Sequence, residues 1–281
     1  MQESELKALI SLLDDDDSEV SSHVEEQIIS IGSDIIPFLE DHWEQSFDPR
    51  VQSRIEDIIH SLQYELLKNR LQIWAESEDQ DLLEGMWLVA TYLYPDLELN
   101  QLRRNLEQIY YDAWTEFKDD LSPTDQIKIL NGVLFSKLKF KANTKNFHSP
   151  SNSMINMVME SKKGNPISLC TIYMLIAQKL SMPVYGVNLP NMFILCYKTD
   201  EVTFYINAFN RGLVFTKEYI DHYLKNLNIN PDPKFYEPCT HVDFVRRSYR
   251  NLMVCFEKLG EFDKMEEIKV LMNSISNELL N

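Results

Sequence analysis

Four cysteines, Cys170, Cys196, Cys239 and Cys255, are the strongest nucleophiles by residue type, and their spacing suits neither a disulfide framework nor a zinc site. No C-x-x-C pair occurs, and no cysteine stands with a histidine at the short intervals of a tetrahedral metal site. No metal and no other cofactor is implied, and such scattered thiols fit a reducing cytoplasm. The run Asp14-Asp15-Asp16-Asp17 offers four carboxylates. Consecutive residues project in different directions, however, and the run lacks the glycine and distal glutamate of a calcium loop, so it reads as a solvated turn capping a helix. Arg246, Arg247 and Arg250 form one basic helix face, which acidic helices nearer the start could neutralise in the same molecule or in another.

Charge is uneven along the chain. Residues 1–100 carry 24 Asp and Glu against 5 Lys and Arg, whereas residues 101–281 carry 20 against 22. An acidic front third repels phosphate backbones, which argues against nucleic acid as a partner and suits a protein with a basic surface. The same acidity also serves solubility. The start, MQESELKALI, has no basic region followed by an apolar core, and no apolar run approaches the ~18 residues of a membrane span. Neither secretion nor a membrane partner is expected.

Long helices must carry most of the fold, because glycine occupies only 7 of 281 positions and leaves few tight turns. In the first 70 residues Asp17-Ser18-Glu19-Val20 recurs as Asp48-Pro49-Arg50-Val51, and Ile28-Ile29 as Ile58-Ile59. Each unit begins where a polar residue can cap a helix and continues with helically spaced Ile, Val and Leu, which predicts an antiparallel helix stack. Three further helices are expected over Leu82 to Leu93, Leu99 to Phe117 and Pro123 to Leu138, the last opened by a Ser122/Asp125 capping box. Trp74, Trp87 and Trp114 lie on their apolar faces as core residues.

Segment 141–153 is polar and reads as a loop. A short helix, Met154 to Met159, then leads through Lys162-Lys163-Gly164-Asn165-Pro166 into a strongly apolar helix, Ile167 to Leu180. The β-rich runs Val184 to Leu189, Phe193 to Tyr197 and Val202 to Phe209 come next, joined by short connections, then Leu213-Val214-Phe215 and a helix opened by Thr216. A helix on a small antiparallel meander is an α+β core. The chain ends in a helix pair that breaks at Gly260.

Three of these segments resemble known families. LLDDDDSEV with IGSDIIPFLEDHW is similar to HEAT repeats over roughly residues 5–66, which implies a partner-binding solenoid segment; two units fall short of a free-standing array and should pack on the helices from Leu82 onward. NLMVCFEKLGEFDKMEEI resembles a tetratricopeptide-type hairpin. Between them, ESKKGNPISLCTIYMLIAQKLSMPVYGVNLPNMFILCY and YINAFNRGLVFTKE resemble the SirB-type branch of the transglutaminase-like superfamily over about residues 154–222. The expected architecture is mainly α with an α+β, papain-like core. It divides into HEAT-like repeats at 1–70, a connecting bundle at 71–150, the transglutaminase-like domain at 151–240 and the helical hairpin at 241–281.

The superfamily implies a Cys at a helix N-terminus, a His on a neighbouring strand and an Asp that orients it. Carried onto this sequence, the nucleophile position falls on Pro166 or, with a two-residue shift, on Ser168, while Met192 stands for the His and Asn207 for the Asp. A thioether is no useful base, and an amide cannot stabilise an imidazolium as a carboxylate does. The resemblance therefore implies a non-catalytic protein that binds a protein or peptide, in a polar groove formed by Asn165, Ser168, Met192 and Asn207. Two alternatives stand beside it. One is a hydrolase or acyl-transferase in which Ser168 or Cys170 works with His148, His222 or His241, and the other is a purely structural scaffold.

Overall fold

Asp17 and Asp48 each accept a backbone N–H two residues further on, from Glu19 at 2.9 Å and from Arg50 at 2.8 Å. Helices begin directly after them, as polar caps require. The computed structural model describes residues 3–14, 17–118 and 120–275, so Asp15 and Asp16 of the acidic run lie outside the described residues. The chain divides into two units, Met1–Arg70 and Leu71–Asn281. The first contains α1 (Glu3–Ser11), α2 (Ser18–Ile31), α3 (Ile36–Gln45) and most of α4 (Pro49–Glu76). Its core draws Ile10, Val24, Ile28, Leu39, Ile55 and Leu62 from all four helices, matching the helical spacing of the apolar residues.

The second unit continues with α5 (Leu82–Thr91), α6 (Leu99–Trp114) and α7 (Pro123–Asn131). Trp74 is 3% exposed and donates to Asp81 O, and the half-buried Trp87 donates to Leu97 O. Trp114 departs from the expected core position, being 56% exposed at the last residue of α6. The helix expected to reach Leu138 changes winding at Gly132 instead: Gly132–Lys137 form a π-type turn in which the Leu138 N–H reaches Val133 O. Glycine is a weak helix former, and Asn131 just before it is drawn away by bonds to Gly212 O and Tyr173 OH. At Ser122 the cap is partial. Its hydroxyl accepts the Asp125 N–H and donates to Asp125 Oδ2, without the reciprocal bond to its own backbone.

Segment 141–153 is less irregular than its polarity suggests. β1 (Lys141–Ala142) pairs in parallel with β2 (Lys163–Gly164), which follows α8 (Ile155–Ser161). Next comes α9 (Pro166–Lys179), buried on nearly every side, as its continuous apolar sequence requires. The meander β3 (Val184–Leu189), β4 (Met192–Lys198), β5 (Thr203–Asn207) and β6 (Leu213–Phe215) forms one antiparallel sheet in that order. Residues alternate between its faces. Val187, Ile194, Cys196 and Tyr205 meet Ile220 and Leu224 of α10 (Lys217–Asn226), while Phe193 turns the other way, its ring 4.6 Å from that of Phe244. Phe244 belongs to α11 (His241–Leu259), which turns at Gly260 (φ 77°) into α12 (Phe262–Ser274). The left-handed conformation at that turn favours glycine. A Cβ at Gly186 would lie 2.2 Å from the Phe244 ring, so glycine lets β3 and α11 approach closely. The outer edge of β3 is covered where the Cys239 N–H donates to Gly186 O. Among the described residues no helix is long and apolar enough to cross a membrane.

Candidate functional site

The site is built where α9 begins. Pro166 takes the first helical position, which needs no N–H, and Asn165 caps the helix. Asn165 Oδ1 accepts the Ser168 N–H at 3.0 Å, Ser168 Oγ accepts the Asn165 N–H at 3.1 Å, and Asn165 Nδ2 donates to Ser153 Oγ at 2.9 Å. Both side chains are buried. This network uses the polar groups of Asn165 and Ser168 to hold the helix end.

In front of that end lies a cleft of about 190 Å³. Phe147 and His148 border it from the loop before α8, Asn165, Pro166 and Ile167 from the helix start, and Asn191 and Phe193 from the β3–β4 hairpin. The last wall is α11, through Arg247, Asn251, Val254 and Cys255. Arg247 Nη1 donates to Asn188 Oδ1 and Leu189 O, both at 3.3 Å. Burial and the nearby Arg250 both work against its charge and lower its pKa. A guanidinium nonetheless stays protonated.

The thiols are held as thiols. Cys170 is fully buried with Sγ 3.7 Å from Phe193 O, and burial pushes its pKa far up. Cys255 is pushed up to about 11 by burial, with Lys258 only partly opposing. His148 Nε2 lies 2.7 Å from Lys258 Nζ, His241 Nδ1 lies 2.9 Å from Gln80 O, and His222 is exposed on α10. Among the described residues, no histidine hydrogen-bonds Ser168 or Cys170, and no group of three or more His, Cys, Asp and Glu is placed to hold a metal. A wider hollow of about 590 Å³ in the first unit is shallower, and its Arg54 is already paired with Glu25 at 3.1 Å.

A family model described as the transglutaminase-like superfamily matches residues 100–250, more than half of the chain. The chain belongs to that superfamily. It is similar to a UPF0162 protein of Xylella fastidiosa (strain 9a5c), 28% identical over 196 residues that cover 67% of this chain and 69% of that one. It is also similar to UPF0162 protein YchA of Escherichia coli (strain K12), 24% identical over 200 residues, covering 71% and 66% respectively. A third similarity is to F-box only protein 21 of Mus musculus, 30% identical over 191 residues, which cover 57% of this chain and 30% of that protein. No solved structure matches.

The positions to which the resemblance assigns the three roles do not converge on the cleft. Of the two candidates for the nucleophile position, Pro166 lines it beside Asn165, whereas Ser168 lies behind them in the capping network. Met192 packs against the cluster under α10, because strand alternation sends it to the sheet face opposite Phe193. Asn207 turns back on its own chain to accept the Asn210 N–H at 3.0 Å. The polar groove expected from Asn165, Ser168, Met192 and Asn207 is thus replaced by a cleft whose far wall is α11. Arg247, Asn251, Val254 and Cys255 were not anticipated as a wall. Their i, i+4, i+7, i+8 spacing marks one helical stripe and was the available signal.

Proposed function

We propose that this chain is a non-catalytic member of the superfamily that binds a segment of a protein or peptide in the cleft at the start of α9. The observation that supports this reading is the cleft's chemistry. Its polar groups are side-chain amides, a guanidinium and the His148 imidazole, suited to hydrogen bonding, while the Cys255 thiol in its wall and the Cys170 thiol behind it are held protonated. The SirB-type branch, the HEAT-like reading of residues 1–70 and the tetratricopeptide-like reading of α11 and α12 fit a binding protein and belong to the same proposal. Four free cysteines suit a cytoplasmic setting.

One observation favours a second reading, an acyl-transferring enzyme with a displaced nucleophile: Cys255 and His148 line the same cleft. Against it, the thiol is raised to about 11 and Lys258 occupies the His148 nitrogen. The test is incubation with a chromogenic thioester, followed by intact-protein mass spectrometry. Wild type and the Met192→His/Asn207→Asp double variant should release no burst and carry no acyl group. An acyl adduct on Cys255, Cys170 or Ser168 in either protein would replace the binding reading with the enzymatic one.

A further inference from the structure

We infer that this cleft, taken as the binding site proposed above, receives the C-terminal end of a peptide, with the terminal carboxylate on Arg247. The starting point is an uncompensated cation. Among the described residues no carboxylate pairs with Arg247, in a chain with 44 acidic and 27 basic residues. The nearest acids along its own helix and the adjoining loop are engaged elsewhere: Asp243 accepts from Thr240, and Glu237 pairs with Lys198. Both internal bonds of the guanidinium use Nη1, which leaves Nε and Nη2 to present the two-pronged edge that fits a carboxylate. The cleft wall itself contains no Asp or Glu.

Two further features select a chain end over an isolated anion. The side-chain amides of Asn191 and Asn251 make no hydrogen bond among the described residues, and each can both donate to and accept from a main-chain peptide group. Arg247 also lines a second groove of about 540 Å³, together with Asn188, Pro190, Phe235 and Thr240. Glu237 and Asp243 line that groove as well, the first paired with Lys198 and the second bonded to Thr240. A chain lying extended in it would bring its end within reach of the guanidinium. The cleft, at about 190 Å³, is below the roughly 300–1,000 Å³ of sites for drug-sized molecules and fits a single residue. Pro166, Ile167, Phe193 and Val254 give its lining an apolar part beside the amides and the guanidinium, so the last side chain should be apolar.

The experiment uses the full chain and octapeptides anchored by their N-termini, randomised at the last three positions and presented as free acids or as carboxamides. Free acids ending in an apolar residue should be retained. In fluorescence anisotropy, amidation of a retained peptide should weaken binding at least about tenfold, the size expected for one charge-assisted contact. Arg247→Gln should bring the ratio of free-acid to amide affinity close to one, with Arg247→Lys intermediate. The acid-to-amide comparison on wild type stands even if a variant fails to fold. Equal binding of acid and amide overturns the carboxylate assignment. If Asn251→Trp then abolishes binding, the cleft still binds peptides and only the present inference falls. Retention that follows an internal Asp or Glu regardless of amidation overturns the chain end, as does acetate or an N-acetyl amino acid binding as tightly as the peptide. Retention of neither library by wild type overturns the inference outright; the binding reading, which needs only an internal segment, falls with it only if octapeptides randomised at their central positions are not retained either.

Discussion

Cys255 and Cys170 show that a residue's type promises chemistry that its surroundings can withdraw. Both are thiols within the superfamily domain or beside it, and both are kept protonated by burial, which penalises the thiolate. For Cys255 the consequence is measurable, because it lines an open cleft and its pKa is raised to about 11. Below that value the group is neutral, and each pH unit upward multiplies the thiolate fraction about tenfold. In a variant with the other three cysteines replaced by serine or alanine, we expect alkylation by iodoacetamide to keep rising beyond about pH 10, whereas an ordinary thiol, half ionised near about 8.5, has levelled off by then. Rates from intact mass that reach a plateau by about pH 10 would show an accessible, unperturbed thiol and weaken the case against nucleophilic chemistry in the cleft.

At the scale of elements, the start of α9 is the piece on which the site depends. Its cap is reciprocal, linking Asn165 and Ser168, and the second arm of Asn165 ties the helix end to Ser153. A Cβ on Gly164 would come within 2.4 Å of Ser168 Oγ, so the strand residue before the cap is held against it. Asn165→Ala removes an N-cap acceptor and leaves the buried Ser153 hydroxyl short of a partner. We expect a loss of about 1–2 kcal/mol from the cap, read as a lower urea midpoint with an unchanged slope. Asn165→Asp should recover most of the cap, with the Ser153 hydroxyl now donating to the carboxylate, but it buries a charge in doing so. If Asn165→Ala were as stable as wild type, the cleft would have to be held by something other than this helix end.

Over the whole molecule, the cleft's cationic character stands against a chain of net charge −17, whose first 100 residues hold 24 acidic groups against 5 basic. The general field repels an anion that the cleft locally attracts, so a suitable ligand carries positive charge behind its carboxylate end. Among peptides with the same last three residues, those with lysines further upstream should bind more tightly at low salt. That advantage should fade as ionic strength approaches 0.15 M, where the screening length falls to about 8 Å. Titration of lysine-bearing and neutral peptides across salt tests this. Parallel salt curves for the two would remove the overall charge from recognition and leave the cleft acting alone.

Much of this architecture is legible in the residues alone. Capping residues and helical spacing mark the helices of the first unit, and the β-branched and aromatic runs mark β3 to β6 within a residue or two of where they lie, because these signals depend on neighbours close in sequence. The motif around Gly164-Asn165-Pro166 places the site on the start of α9 for the same reason. What tertiary structure decided was which side chains share a space. Met192 and Phe193 are adjacent in sequence, yet they face opposite sides of the sheet, and which side holds the cleft depended on where α10 and α11 packed. Trp114 is exposed although its spacing puts it on an apolar helical face, and Arg247 passed from a surface stripe to the wall of the cleft because α11 lies across the helix start. Contacts between residues far apart in the chain are set by packing, and local spacing carries no record of them.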